Sequence, residues 1–131
     1  MNLNFMGNNG KISILLVEDD ENSRYFLKKC LEIKGFFVVE YAKGSGAIED
    51  INNGLLYDVA IIDMSLRNDR DLCGIDVRNA SKNKYPKIPV IGYSGYPTNP
   101  KSFDYTVIKG EENKLFEIIF NIDQSRNFQV W

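Results

Sequence analysis

YDVAIIDMSL, residues 57–66, is an apolar strand that runs straight into a carboxylate. Val59, Ala60, Ile61 and Ile62 form the short hydrophobic run that fills a parallel strand buried on both faces. The run stops at Asp63, and turn-prone polar residues follow within a few positions. In open parallel sheets ligands bind beyond the carboxyl ends of the strands, so Asp63 stands where chemistry is done. Taken alone, an Asp in that place reads more readily as the cap of a turn. The ends of the other strands choose between the two.

Upstream, KISILLV at Lys11–Val17 is a second apolar strand, and it ends in Glu18, Asp19, Asp20 and Glu21. A helix is expected from about Glu21 to Lys34, with Phe26, Leu27, Cys30 and Leu31 on one face and Gly35 as its stop. Capping and the helix dipole account for Asp20 and Glu21. Four successive carboxylates also repel one another, and a bound cation would relieve them. FFVVEY at Phe36–Tyr41 reads as a strand, and Ser45–Asn53 as a short helix with Ala47, Ile48 and Ile51 in phase. Beyond Asp63 come a charged loop, Arg67 to Asp71, and a helix over Gly74–Asn83 carrying Ile75, Val77 and Ala80. Lys87–Tyr93 is the next strand and delivers Ser94 and Gly95. Asp104–Ile108 is the last, ending in Lys109. A final helix, about Glu111–Asp123, has the clearest period, with Leu115, Ile118, Ile119 and Ile122 at i, i+3, i+4 and i+7. Residues 1–10 and 125–131 read as tails around one domain at 11–124, with no repeat and no linker. Strands alternating with helices imply right-handed crossovers and a parallel sheet covered on both faces. Such a sheet gathers Glu18, Asp19, Asp63, Ser94 and Lys109 into one pocket.

Composition narrows the chemistry. The 131 residues suffice for one core, and 44% hydrophobic with 26% charged content is ordinary for a soluble domain. A net charge of −2 offers no footprint for nucleic acid or an anionic membrane. No apolar run approaches the ~20 residues of a membrane span, and no signal-peptide pattern opens the chain. Cys30 and Cys73 lack metal-ligand spacing, so the expected setting is the reducing cytoplasm. Histidine is absent altogether. That removes Ser-His-Asp and Cys-His catalysis, histidine zinc sites and any role as a phosphohistidine carrier. Carboxylates, hydroxyls and lysine remain. Three carboxylates at strand ends make a hard oxygen site suited to Mg²⁺. Asp is also a nucleophile towards phosphorus. Phosphoryl transfer needs its equatorial oxygens neutralised, and a cation, an ammonium and a small hydroxyl are all supplied.

ILLVEDDE, YDVAIIDMSL, IPVIGYSG and YTVIK, in that order and each at a strand end, resemble the receiver domain of two-component response regulators. The resemblance covers about Lys11 to Asp123. It implies a flavodoxin-like α/β fold as in CheY, a parallel five-stranded sheet of order 2-1-3-4-5 with helices on both faces. It implies that Asp63 is the phosphoacceptor. Asp19 would touch Mg²⁺ directly and Glu18 through water, with the backbone carbonyl of Ser65 as a further ligand. Ser94 would be the switch hydroxyl and Lys109 the partner of the phosphoryl group. Asp20 competes for the metal role if the register slips by one. Such a domain catalyses only its own phosphorylation and dephosphorylation, taking the group from a histidine kinase or phosphotransfer protein and signalling to an output protein. The first expectation is therefore a stand-alone receiver. The second is a degenerate receiver acting as a constitutive interaction module. A phosphohydrolase with an Asp nucleophile would need another acid two residues on, where Ser65 stands.

This chain departs from the family's pattern in four places. Gly110 follows Lys109 where proline is usual. Thr106 occupies the aromatic switch position, with Tyr105 one earlier. Arg67 stands where proline is common, and Cys73-Gly74 comes later than the usual Asp-Gly. Finally, only GYPTNPKSF, residues 95–103, separates the fourth and fifth strands. Pro97 and Pro100 disfavour a helix there and no apolar face appears, so an irregular loop or at most one turn is expected. The sheet near Ile91 and Val107 would then be exposed, or covered by a partner, a second copy in a homodimer, or Phe128 and Trp131.

Overall fold

A computed structural model of the chain describes residues 11–64, 74–95 and 102–129, with side chains to 126. Its elements are β1 Ser13–Val17, α1 Glu21–Ile33, β2 Phe37–Tyr41, α2 Gly44–Asn52, β3 Val59–Asp63, α3 Gly74–Lys84, β4 Val90–Ser94, β5 Tyr105–Ile108 and α4 Glu112–Gln129. The strands form one sheet in the order β2-β1-β3-β4-β5. All four pairings are parallel.

The period-2 alternation of each strand divides the core in two. Ile14, Leu16, Ile61, Ile91, Tyr93 and Val107 pack on one face against Leu27 and Leu31 of α1 and Leu115 and Ile119 of α4. Leu15, Val17, Ala60, Ile62 and Val90 face the other way, against Ala47 and Ile51 of α2 and Val77 of α3. Every residue of β3 and β4 is buried, whereas β2 and β5 are half exposed as edges. The register levels the carboxyl ends. Val17 pairs with Tyr41 and Ile62, Asp63 with Tyr93, and Ser94 with Ile108. Glu18 and Lys109 each follow the last residue of their strand, so their side chains start from one rim.

Local chemistry sets the boundaries. Asp20 caps α1 by accepting the Ser23 N–H at 2.8 Å, and Gly35, at φ 96°, ends it. The strand expected from Lys87 begins only at Val90, because Pro86 and Pro89 lack donors and the chain is still turning off α3. The last helix outruns the expected Asp123 and is helical to Gln129, through most of the segment expected as a tail. No glycine or proline interrupts it, and Arg126 fastens its end to Asp58 at 3.2 Å.

Among the described residues no helix lies between β4 and β5. Residues 96–101 of the expected loop fall outside the described set, as do Ser65, Arg67, Cys73, Trp131 and the side chain of Phe128. The expectation about exposed sheet needs correcting. Ile91 and Val107 are 0% and 4% exposed, because their side chains lie on the α1/α4 face. The opposite face of β4 carries Gly92, and Phe103 packs over it. A Cβ on Gly92 would come within 3.0 Å of the Phe103 ring and 2.7 Å of Met64 Sδ. The connection is held by Arg78, which donates to the Ser102 carbonyl at 2.6 Å, and by Asp104, which accepts the Val90 N–H at 2.7 Å. Among the described residues, the Phe103 ring is what closes over Gly92, with Met64 beside it. Among the described residues no helix is long and apolar enough to cross a membrane.

Candidate functional site

Glu18, Asp19 and Asp63 each offer a carboxylate oxygen, and these oxygens lie within 4.8 Å of one another. Glu18 is fully buried, Asp63 is 3% exposed, and Asp19 is half-buried. The ammonium of Lys109 lies 3.0 Å from Glu18 Oε2 and 3.3 Å from Asp63 Oδ2. Its backbone N–H donates to the Ser94 carbonyl at 2.6 Å, which ties the end of β5 to the end of β4. Ser94 is buried at the same rim. Five residues singled out in the sequence therefore meet, while Ser65 lies outside the described residues. Asp20 does not join them. As the cap of α1 it is turned towards the helix, and its carboxyl is held below the usual range chiefly by the Ser23 hydrogen bonds.

The electrostatics are those of a crowded acidic pocket. Burial, helped by the nearby Asp63 charge, pushes the Glu18 carboxyl up to about 7, against the Asp20 N–H at 2.9 Å and Lys109, which pull it down. Burial works to lower the Lys109 ammonium, but contact with Glu18 and Asp63 outweighs it and raises the group. Among the described residues, Glu18 Oε2 is buried without a well-angled hydrogen bond, with the Lys109 ammonium 3.0 Å away. Among the described residues, Glu18 and Asp63 share the Lys109 ammonium, with the Asp19 carboxyl beside them. A small hard cation fits that donor set, since it takes one or two carboxylates and completes its shell with water.

Several supporting residues carry no local signal in the sequence. Arg24, one turn into α1, donates to the Glu18 carbonyl at 2.9 Å and to Glu40 at 3.1 Å. Its spacing of four from Asp20 was the available hint. Gly74 opens α3 hard against β3, where a Cβ would sit 2.5 Å from the Asp63 carbonyl oxygen and 2.8 Å from Met64 Cα. Gly110, where the family pattern has proline, takes φ 104°, which a proline ring forbids. Its N–H donates to Glu112 Oε2 at 2.7 Å, and the same oxygen accepts the Tyr93 hydroxyl at 2.5 Å. Burial first, and then Glu112, raise the Tyr93 phenol far above its ordinary range, so it stays a donor.

Residues 14–109 match the family model described as the response regulator receiver domain. A cyclic di-GMP phosphodiesterase of Thermotoga maritima is 34% identical over 85 residues, 65% of this chain and 22% of that protein. The CAI-1 autoinducer sensor kinase/phosphatase CqsS of Vibrio cholerae is 30% identical over 89 residues, 68% of this chain and 13% of that one. The chain thus spans less than a quarter of either relative. Among solved structures, the T. maritima response regulator TrrA in complex with Mg²⁺ and BeF superposes with a TM-score of 0.74 at 23% identity, covering 84% of this chain and 97% of that one. The receiver domain of a Pseudomonas aeruginosa sensor histidine kinase, with magnesium in its active-site cleft, also gives 0.74, at 18% identity and 87% and 98% coverage. At those identities the likeness speaks for the fold.

Proposed function

The chain belongs to the response regulator receiver domain family, and from that premise we propose that it accepts a phosphoryl group on Asp63 from a phosphohistidine donor. The observation that carries the reading is the Lys109 ammonium, 3.0 Å from Glu18 and 3.3 Å from Asp63, with Asp19 beside them. An Asp63 carboxylate oxygen attacks phosphorus, the P–N bond to the donor's imidazole breaks, and the imidazole nitrogen keeps the electron pair and takes a proton. An acyl phosphate on Asp63 results. Lys109 meets one phosphoryl oxygen and Ser94 another. Mg²⁺, when bound, neutralises charge on the third. Asp19 and Asp63 would hold it directly, Glu18 through water, and the Ser65 carbonyl as a further ligand. Glu18 also keeps Lys109 aligned while the site is empty.

The chain catalyses only this transfer to itself and the later hydrolysis, and its output is carried by protein contacts. The donor is a histidine kinase or phosphotransfer protein, and the place of action is the cytoplasm. The small donor acetyl phosphate supplies the test. With Mg²⁺ the intact mass should rise by one phosphoryl group, and in EDTA it should not. An unchanged mass with Mg²⁺ would favour the module that keeps the fold without the chemistry.

A further inference from the structure

Tyr93 sits where the carboxylate pocket meets α4. It is 3% exposed, on the face of β4 beneath α1 and α4, with Asp63 its register partner on one side and Val107 on the other. The Lys109 ammonium stands over its ring, 5.5 Å from the centroid. Its hydroxyl donates to Glu112 Oε2 at 2.5 Å, the oxygen that also accepts the Gly110 N–H at 2.7 Å. The contacts close a circuit from Asp63 to Lys109, across the Tyr93 ring to Glu112, and back through Gly110 to Lys109. Glu112 is the first residue of α4.

A lysine carries its charge on a flexible four-carbon stem, so its position must be imposed by its surroundings. Here the Ser94 carbonyl holds the backbone end, two carboxylates attract the tip, and the electron-rich ring face fills a further side. We propose that Tyr93 is a positioning residue: its ring holds the Lys109 ammonium on Asp63, and its hydroxyl, through Glu112, transmits occupancy of that carboxylate to the first turn of α4. The proposal rests on the reading of Asp63 as phosphoacceptor.

An added phosphoryl group brings new acceptor oxygens, between which and Glu18 the ammonium must divide itself. The ammonium then shifts over a ring held in the core beneath α1 and α4. Any tilt of the ring bears on the bond to Glu112, whose accepting oxygen is also fixed by Gly110. The two halves of Tyr93 separate cleanly. Phenylalanine keeps the ring and loses the transmitting hydroxyl, whereas leucine loses both.

Amide spectra of the full ¹⁵N-labelled chain, with Mg²⁺ and beryllium fluoride as the phosphoryl mimic, test this. In wild type, the amides of Asp19 and Met64 shift with ligand, and so do those of Gly110 and Glu112–Lys114. In Tyr93→Phe the first pair still shifts, while the α4 shifts fall below half. Glu112→Gln gives the same pattern without altering the core. Tyr93→Leu slows phosphorylation by acetyl phosphate roughly two- to fivefold, the lower end of what a cation–π contact is worth, and Tyr93→Phe restores the rate. Equal α4 shifts in wild type, Tyr93→Phe and Glu112→Gln would overturn the proposal alone, as would equal slowing by leucine and phenylalanine. No shift at Asp19 or Met64 in wild type would overturn the phosphoacceptor reading first, and the proposal with it.

Discussion

Replacing Glu18 with glutamine removes the charge that the fold tolerates least. In the unfolded chain this carboxyl titrates near 4.5, and in the metal-free fold burial raises it to about 7. The folded state therefore binds the proton more tightly than the unfolded one, and stability falls as pH rises between those two values. At 1.36 kcal/mol per pH unit, full ionisation of Glu18 costs at most about 3 kcal/mol. For a domain of this size that is roughly 10 °C in Tm. About a quarter of the penalty is already present at pH 5, and it is complete at pH 8. Glu18→Gln keeps the shape and cannot ionise, so it should lose this slope. Thermal or urea unfolding of both proteins in EDTA, from pH 5 to 8, gives the difference directly. Wild type should weaken against Glu18→Gln by roughly 2.5 kcal/mol over that window. Parallel curves across the window would refute the buried-charge reasoning. Mg²⁺ at pH 8 should recover most of the loss in wild type and little in the variant, since it binds the native site only.

The other expectations concern the metal and the packing around it. Asp19→Ala should abolish the rise in Tm that millimolar Mg²⁺ produces in wild type, while leaving the metal-free protein at least as stable, as thermal melts will report. Phe103→Ala should open the space over Gly92 and destabilise the fold by about 3 kcal/mol, read from urea midpoints at constant slope. Gly74→Ala places a methyl 2.5 Å from the Asp63 carbonyl oxygen, so α3 must shift. Its Mg²⁺ response in the same melts should weaken along with its stability.

How much of this was legible in the sequence depends on whether a residue's role is local. Asp63, Glu18, Asp19, Ser94 and Lys109 each sit at the end of an apolar run, and in a parallel sheet that position places them together without further information. The order of the strands came with the family resemblance rather than from the runs themselves. Pro97 and Pro100 argue against a full helix between β4 and β5, and none lies there among the described residues. That Phe103 covers Gly92 was not legible. A single aromatic after two prolines has no period, and only the gap at Gly92 gives it a place. The exposure expected at Ile91 and Val107 failed for a related reason. Alternation fixes that neighbours face opposite ways, but not that Ile91 and Val107 lie on the face covered by α1 and α4. The end of α4 was placed early because the apolar period stops at Ile122, whereas the helix is carried on by residues with no breaker and by the Arg126–Asp58 pair. Tyr93 and Glu112 are 19 residues apart and joined by one hydrogen bond, so nothing in either neighbourhood announces the other.

The claim on which the rest depends is that Asp63 is the carboxylate that takes the phosphoryl group. Borohydride reduces an acyl phosphate to an alcohol, which converts a phosphorylated aspartate to homoserine and leaves free carboxylates untouched. The full chain, treated with acetyl phosphate and Mg²⁺, reduced, digested and sequenced by mass spectrometry, should carry homoserine at position 63 and at no other, and Asp63→Asn should carry none. Homoserine at position 19 or 20, or its persistence in Asp63→Asn, would contradict the account.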